Sequence, residues 1–217
     1  MKHGALLFCG VLTAFSASWW GMVAYPQRQL SNLPIYLGTN DAGMAYQYPT
    51  ARSGEAAQGR QVYVSLGCVA CHTQQVRPVD GGNDIARGWG RRRSVARDYI
   101  YDEPVQMGDN RLGPDLANYG ERLGTNAFPL TRLFNPQLVV SNTICPPLPF
   151  LFDHRSVRIS GPSAEALVLK GTAAPAVGEE VVPTLAAYQL AAYLKSLHTS
   201  VEVPEALLPV PSEEASK

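Results

Sequence analysis

The segment Gly67-Cys68-Val69-Ala70-Cys71-His72-Thr73-Gln74 decides how the rest of the chain is read. Two cysteines spaced by two residues, with a histidine directly after, form the attachment site for a c-type haem. Each thiol can add across one haem vinyl group to give a thioether, and the next residue then lies under the porphyrin, where an imidazole nitrogen binds the iron as proximal ligand. A bare Cys-x-x-Cys serves equally as a redox pair or half a zinc site; the adjoining His72 turns the reading toward haem. One haem c, attached through Cys68 and Cys71 and ligated by His72, is the expected cofactor.

The flanks fit that reading. Ser53 is the expected N-cap and Glu55 the first-turn acid of a helix running to Gly67, with Val62, Tyr63 and Leu66 on its apolar side. Gly67 can stop it in a left-handed turn. A short helix would thus deliver two thiols and an imidazole to one face of the porphyrin. Downstream stands Gly113-Pro114-Asp115-Leu116. In small cytochromes c a Gly-Pro-x-Leu segment passes beside the proximal histidine. The Pro114 carbonyl can accept the Nδ1–H of His72, which fixes the tautomer and leaves Nε2 for iron.

Composition excludes several classes. The 217 residues carry 18 Lys+Arg and 18 Asp+Glu, so no global charge steers the chain toward nucleic acid. Gly 19 and Pro 17 indicate a loop-rich fold. Of the four cysteines, Cys9 lies in an apolar run and Cys145 in the distal half, which is no disulfide framework. No carboxylate pair, Ser/His/Asp set or copper-ligand cluster is visible, so no independent active site is expected.

From Gly4 to Tyr25 there is no charge, and about 20 apolar residues suffice to cross a bilayer as a helix. Lys2 and His3 precede the run; Trp19, Trp20 and Tyr25 cluster at its far end, as at a membrane interface. Pro26, Gln27 and Arg28 are expected to end it. The competing reading is a signal peptide cleaved near Ser16-Ala17-Ser18, but the apolar core exceeds the usual ~7–15 residues and bulky Trp19 follows at once. Lys2 and Arg28 give too little charge bias to orient the helix; the haem does so, being attached outside the cytoplasmic membrane in cytochromes of this kind.

The expected fold is mainly α: a transmembrane anchor over residues 1–28, a linker over 29–52, a small loop-rich cytochrome c domain over 53–198 and a flexible tail over 199–217. In the linker, Asn40-Asp41-Ala42-Gly43 is a turn signal. Arg87, Arg91, Arg92, Arg93 and Arg97 occur with no acid between them. They suit haem propionates or a docking partner in one or two instances, and a solvated loop in the rest. The proline-rich stretch Leu130 to Phe152 is expected to be irregular. Ser163 to Lys170 is expected to form a short helix, and Pro183 to His198 a longer one, Pro183 in its first turn and Leu190, Tyr193, Leu194 and Leu197 in one stripe facing the helix of Tyr63.

From about Tyr48 to Phe152 the chain resembles the mono-haem cytochrome c subunit (subunit II) of cbb3-type haem–copper oxidases. The resemblance rests on Tyr48-Pro49-Thr50-Ala51, Gly59-Arg60-x-x-Tyr63, the haem motif extended by Thr73-Gln74 and Val76-Arg77-Pro78, and Arg87-x-Trp89-Gly90. It continues through Tyr99-x-Tyr101-Asp102-x-Pro104, Met107-Gly108-x-x-Arg111-x-Gly113-Pro114-Asp115-Leu116 and Asn135-Pro136-Gln137. The resemblance implies a single N-terminal anchor in the bacterial cytoplasmic membrane and a haem domain on the periplasmic side. It also implies electron transfer to the catalytic haem b/haem b3–copper subunit, with a di-haem cytochrome c subunit or another cytochrome as donor. Arg77 and Arg111 are candidates for propionate or interface contacts.

One departure stands out. Where the family has Ser-x-Met-Pro, its Met being the distal iron ligand, this chain reads Thr143-Ile144-Cys145-Pro146. Cys145 is therefore a candidate distal ligand whose thiolate would stabilise ferric iron, whereas a Met/His pair raises the potential. Other outcomes are a free thiol with an open iron site, or ligation by Met107, His154 or His198, none of which has the flanking residues of the ligand motif. Alternative functions are the small cytochrome subunit of a nitric oxide reductase, against which Arg77-Pro78 and Tyr101-Asp102-x-Pro104 argue, a stand-alone Cys/His-ligated haem sensor or sulfur-oxidising haem protein, and a non-haem thiol-redox protein.

Overall fold

The computed structural model describes residues 3–39, 43–52, 54–124 and 130–208. Lys2, the expected turn at Asn40, Asp41 and Ala42, the expected N-cap Ser53 and the tail from Pro209 onward lie outside the described residues. The chain forms two compact units, residues 1–50 with 95–103 and residues 51–94 with 104–217.

The first unit begins with a continuous apolar helix, Gly4–Leu30, of 27 residues, long enough to cross a bilayer. It consists of α1 (Gly4–Trp19), a π turn (Trp20–Ala24) and α2 (Tyr25–Leu30). Pro26 does not end the helix as expected. Proline lacks an N–H and its ring clashes with the carbonyl four residues back. The widened π turn just before it, with the Tyr25 N–H bonded to the Trp20 carbonyl, absorbs that conflict.

The stretch expected to be a linker contains a hairpin, β1 (Tyr36–Thr39) paired antiparallel with β2 (Ala45–Tyr48) in the register Tyr36 to Tyr48. Tyr46 and Tyr48 alternate with exposed Ala45 and Gln47, the two-residue period of a strand with one covered face. Buried Tyr48 donates to Asp98 Oδ1 at 2.7 Å, Asp98 Oδ2 accepts the Val95 N–H at 2.9 Å, and Arg97 donates to the Pro34 carbonyl. These bonds tie residues 95–98 to the hairpin and the segment before it.

In the second unit α3 (Gly54–Ser65) packs on α6 (Leu185–Lys195). The helices touch backbone to backbone at Gly59, where an added Cβ would lie 1.8 Å from the Gln189 carbonyl oxygen. Beside that contact the Tyr63 and Tyr193 rings pack with centres 5.2 Å apart and planes tilted by 56°, in a core with Leu116, Leu133, Phe152 and Leu190. The expected stripe Leu190, Tyr193, Leu194 and Leu197 is buried. The helix starts later than expected: Pro183 closes a strand and Thr184 is the N-cap, its hydroxyl accepting the Ala187 N–H.

The shorter elements are α4 (Tyr119–Leu123), α5 (Thr131–Phe134) and an antiparallel pair, β3 (Phe152–Ser156) with β4 (Glu179–Pro183). The stretch from Leu130 to Phe152 is otherwise irregular, apart from single 3-10 turns at Pro136–Leu138 and Pro149–Leu151. No helix forms from Ser163 to Lys170. Glu180 instead takes the Ser163 N–H and hydroxyl while pairing with Arg155, and the Leu167 N–H bonds to the Val181 carbonyl.

The flexible tail expected from Thr199 is held as far as Ala206. Asn118 accepts the Thr199 N–H at 2.6 Å, buried Arg92 donates to the Val201 carbonyl, and Arg93 donates to the Glu205 carbonyl at 2.7 Å. Part of the arginine run is thus a clasp on the segment after α6, and Val203 in that segment is fully buried.

Gly59→Ala is expected to lower stability by about 1–3 kcal/mol, because the new methyl must push two backbones apart. Chemical denaturation of wild type and variant reads this directly, and an unchanged midpoint would refute the tight crossing.

Candidate haem site

The haem motif is set by the end of α3. Gly67 takes φ +66°, the left-handed stop expected of it, and Cys68–Ala70 form a single 3-10 turn. The Cys71 and His72 N–H groups both point at the Cys68 carbonyl, at 3.2 and 3.1 Å. Two free thiols and one imidazole are therefore displayed within one turn. Burial pushes the Cys68 thiol up to about 11, and the charges of Cys145 and Cys71 add to that.

His72 is held on two sides. Its Nδ1 lies 2.8 Å from the Pro114 carbonyl oxygen. A carbonyl can only accept, so Nδ1 carries the proton and Nε2 keeps its lone pair for a metal. Gly113 lies flat against the ring: an added Cβ would sit 2.2 Å from Cε1, 2.6 Å from Nδ1 and 2.9 Å from Nε2. The Gly113 N–H also bonds to the Cys71 carbonyl at 3.0 Å.

Each residue after His72 has its own partner. The Thr73 hydroxyl donates to Asp115 Oδ2 at 2.7 Å, and the Gln75 N–H reaches the same oxygen at 2.7 Å. The Gln74 N–H bonds to the Met107 carbonyl, and its side chain pairs with the Tyr193 hydroxyl at 3.0 Å. The Val76 N–H goes to the Ser94 hydroxyl and the Arg77 N–H to Asp84 Oδ2. The Thr-Gln-x-Val-Arg extension of the motif is therefore a clamp that fixes the path of the chain leaving the imidazole.

Arg77 and Arg111 converge on Asp84, a fully buried carboxylate for which the sequence offered no signal. Arg77 Nη2 reaches Asp84 Oδ1 at 2.9 Å; Arg111 Nη1 reaches the same oxygen, and its Nη2 donates to the Gln75 carbonyl. Trp89 carries Arg87 at 5.0 Å and Arg111 at 5.6 Å from its ring centre, within cation–π range. Burial works to raise the Asp84 pKa, but hydrogen bonds from Arg77, Arg111 and the Arg77 backbone outweigh it and hold the carboxyl at about 2, from an ordinary 3.8.

Cys145 is exposed on the loop after α5, and its charge couples to both Cys71 and Cys68. Desolvation pushes its thiol up, Cys71 adds to that and Arg132 opposes it. Of the other candidate distal ligands, Met107 lines an open cavity beside Val69 and Ala70. His154 is exposed on β3 with its ring 6.4 Å from that of Phe134, and His198 is exposed after α6.

The residues fit a c-type haem. The donor set is two free thiols and an imidazole whose Nδ1 is already occupied. Gly113 leaves the ring face free of any side chain. The Tyr63 hydroxyl, fully buried and electrically coupled to Cys68, lies near Gln74 without a hydrogen bond of ordinary geometry.

Residues 51–201 match the family described as cytochrome c oxidase, mono-heme subunit/FixO, more than half of the 217-residue chain. The chain belongs to the FixO family. The resemblance drawn from motifs between Tyr48 and Phe152 thus extends through α6 to the clasped segment after it. FixO proteins are mono-haem subunits, in keeping with the single Cys-x-x-Cys-His of this chain. A comparison with curated proteins gives no significant match.

Asp84 has a folded pKa below its unfolded one, so its contribution to stability is full above about pH 4 and is lost as pH falls toward 2. Asp84→Asn is expected to be less stable than wild type at pH 7, with the gap closing as pH drops through that window. Thermal denaturation at several pH values checks this; a gap that stays constant with pH would show that the carboxylate charge contributes nothing.

Proposed function

We propose that this FixO subunit is a single-haem electron carrier of a cbb3-type terminal oxidase in an aerobic respiratory chain. The apolar helix Gly4–Leu30 anchors it in the bacterial cytoplasmic membrane with the haem domain on the periplasmic side. It receives electrons from a di-haem cytochrome c subunit or another cytochrome. It passes them to the catalytic haem b/haem b3–copper subunit, where oxygen is reduced. The observation that carries the reading is the FixO match over a haem motif whose histidine is already oriented for a metal.

In this reading Cys68 and Cys71 form the thioethers, His72 binds iron through Nε2, and the Pro114 carbonyl holds the imidazole. Bound there, the haem supplies a one-electron ferric/ferrous couple. Cys145 would take the place of the family Met as an iron ligand, supported by Thr143-Ile144-Cys145-Pro146 standing where the family has Ser-x-Met-Pro. Its thiolate would favour ferric iron and lower the potential relative to a Met/His site. Of the two arginines on Asp84, Arg77 keeps 42% of its side chain exposed and Arg111 only 18%. Arg77 is thus the better placed to meet a propionate or a neighbouring subunit.

Two experiments test the reading. Full-length protein is expected to stain for haem after denaturing electrophoresis and to bring down a haem–copper subunit from detergent-solubilised membranes; a colourless band or a lone protein would refute it. Cys145→Ala is expected to alter the low-spin EPR signal of the ferric protein, and an identical spectrum would eliminate thiolate ligation.

A further inference from the structure

Among the described residues of the second unit two carboxylates are fully buried, Asp84 and Asp115, and they are treated differently. Asp84 is paired with two guanidinium groups. The Asp115 carboxylate is held by neutral donors only. Oδ1 accepts the Ala117 N–H at 2.8 Å, and Oδ2 accepts the Thr73 hydroxyl and the Gln75 N–H, each at 2.7 Å. Arg122 approaches but donates to the main-chain carbonyl of Asp115, not to the carboxylate. Burial lowers the Arg122 pKa, and the Asp115 charge works against that.

The position of this charge is specific. Residues 71–75 and 113–117 are laced around the imidazole: the Gly113 N–H bonds to the Cys71 carbonyl, the Leu116 N–H to the Thr73 carbonyl, and Thr73 and Gln75 to the Asp115 side chain. Between these ties lies the Pro114 carbonyl, 2.8 Å from His72 Nδ1. Asp115 thus fixes the residue next to the one that holds the proximal imidazole. It also places a full negative charge in a low-dielectric region, where charge acts over a longer range than in water.

We propose that Asp115 is a positioning residue for His72 and the buried charge that lowers the reduction potential of the haem from the proximal side. The inference rests on the reading above, that His72 binds the iron. Oxidation removes one electron from the iron and leaves the site more positive by one charge, so a fixed carboxylate behind the ligand favours the ferric form. The three neutral donors hold the carboxylate in place, while the guanidinium groups of Arg122 and Arg77, which feel its charge, donate their hydrogen bonds elsewhere.

The test is potentiometry on full-length, haem-loaded protein. Asp115→Asn keeps the shape and removes the charge; the midpoint potential is expected to rise while the visible spectrum of the reduced protein stays that of an intact haem c. Thr73→Val keeps the charge and removes one donor that partly shields it; the potential is expected to fall. Opposite signs are the signature of an electrostatic role, because a purely structural defect would move both variants alike. Should Asp115→Asn fail to accumulate, Thr73→Val alone decides, and an unchanged or raised potential overturns the proposal. Wild-type protein without covalent haem would instead defeat the electron-carrier reading itself. Haem-loaded Asp115→Asn with an unshifted potential would defeat only the role of Asp115.

Discussion

The backbone contact between Gly59 and the Gln189 carbonyl sets the geometry from which the second unit follows. No side chain separates α3 from α6 there, so the two helices come close enough for the Tyr63 and Tyr193 rings to pack against each other and share one apolar core. The last turn of α3 then points the haem motif in a fixed direction, and Gly67 permits the sharp exit into the turn that carries half-buried Cys68 and Cys71. Residues 73–77 leave that turn under constraint at every position. The imidazole orientation is therefore a property of the folded unit before any metal arrives, which favours a site that need not reorganise as its charge changes.

The parts of this arrangement that depend on neighbours in sequence were legible in it. The haem motif, the glycine stop, the uncharged N-terminal run and the apolar stripe of α6 all have partners within a few residues or follow a simple period. The parts built from distant pairs were not. Asp84 draws on Arg111, Asp115 on Thr73, and Asn118 on Thr199 and Ser200; nothing in the local pattern around each acid or amide announces those partners. The hairpin went unseen because its four-residue strands give too short a run for alternation to register. Ser163 to Lys170 has ordinary helical composition, but tertiary bonds to Glu180 and Val181 override local propensity. The segment after Thr199 looks like a loose end because its anchors lie on the arginine run about 110 residues earlier in the chain.

The buried polar groups of the second unit form a connected set rather than isolated pairs. Gln75 gives its N–H to Asp115 and its carbonyl to Arg111, which joins the acid behind the imidazole to the acid between the arginines. Asn118 bonds the Trp89 carbonyl and the segment after α6, and Arg122 reaches both Trp89 and Asp115. In such networks each bond is stronger for the presence of the others, and a change at one member is felt across the set. Asp84, Asp115 and Asn118 are fully buried, which keeps the geometry at the middle of the set from being traded for water.

The π turn at Trp20–Ala24 has a consequence for the N-terminal helix. An α-helix advances about 100° per residue, so one extra residue in a turn rotates everything beyond it by roughly that angle. A straight line of side chains along α1 does not continue along α2; it steps around the axis at the pair of tryptophans. Any helix lying alongside this one meets one azimuth of it at the level of Phe8 and another at the level of Tyr25. The surface it must match is a spiral seam, not a flat stripe.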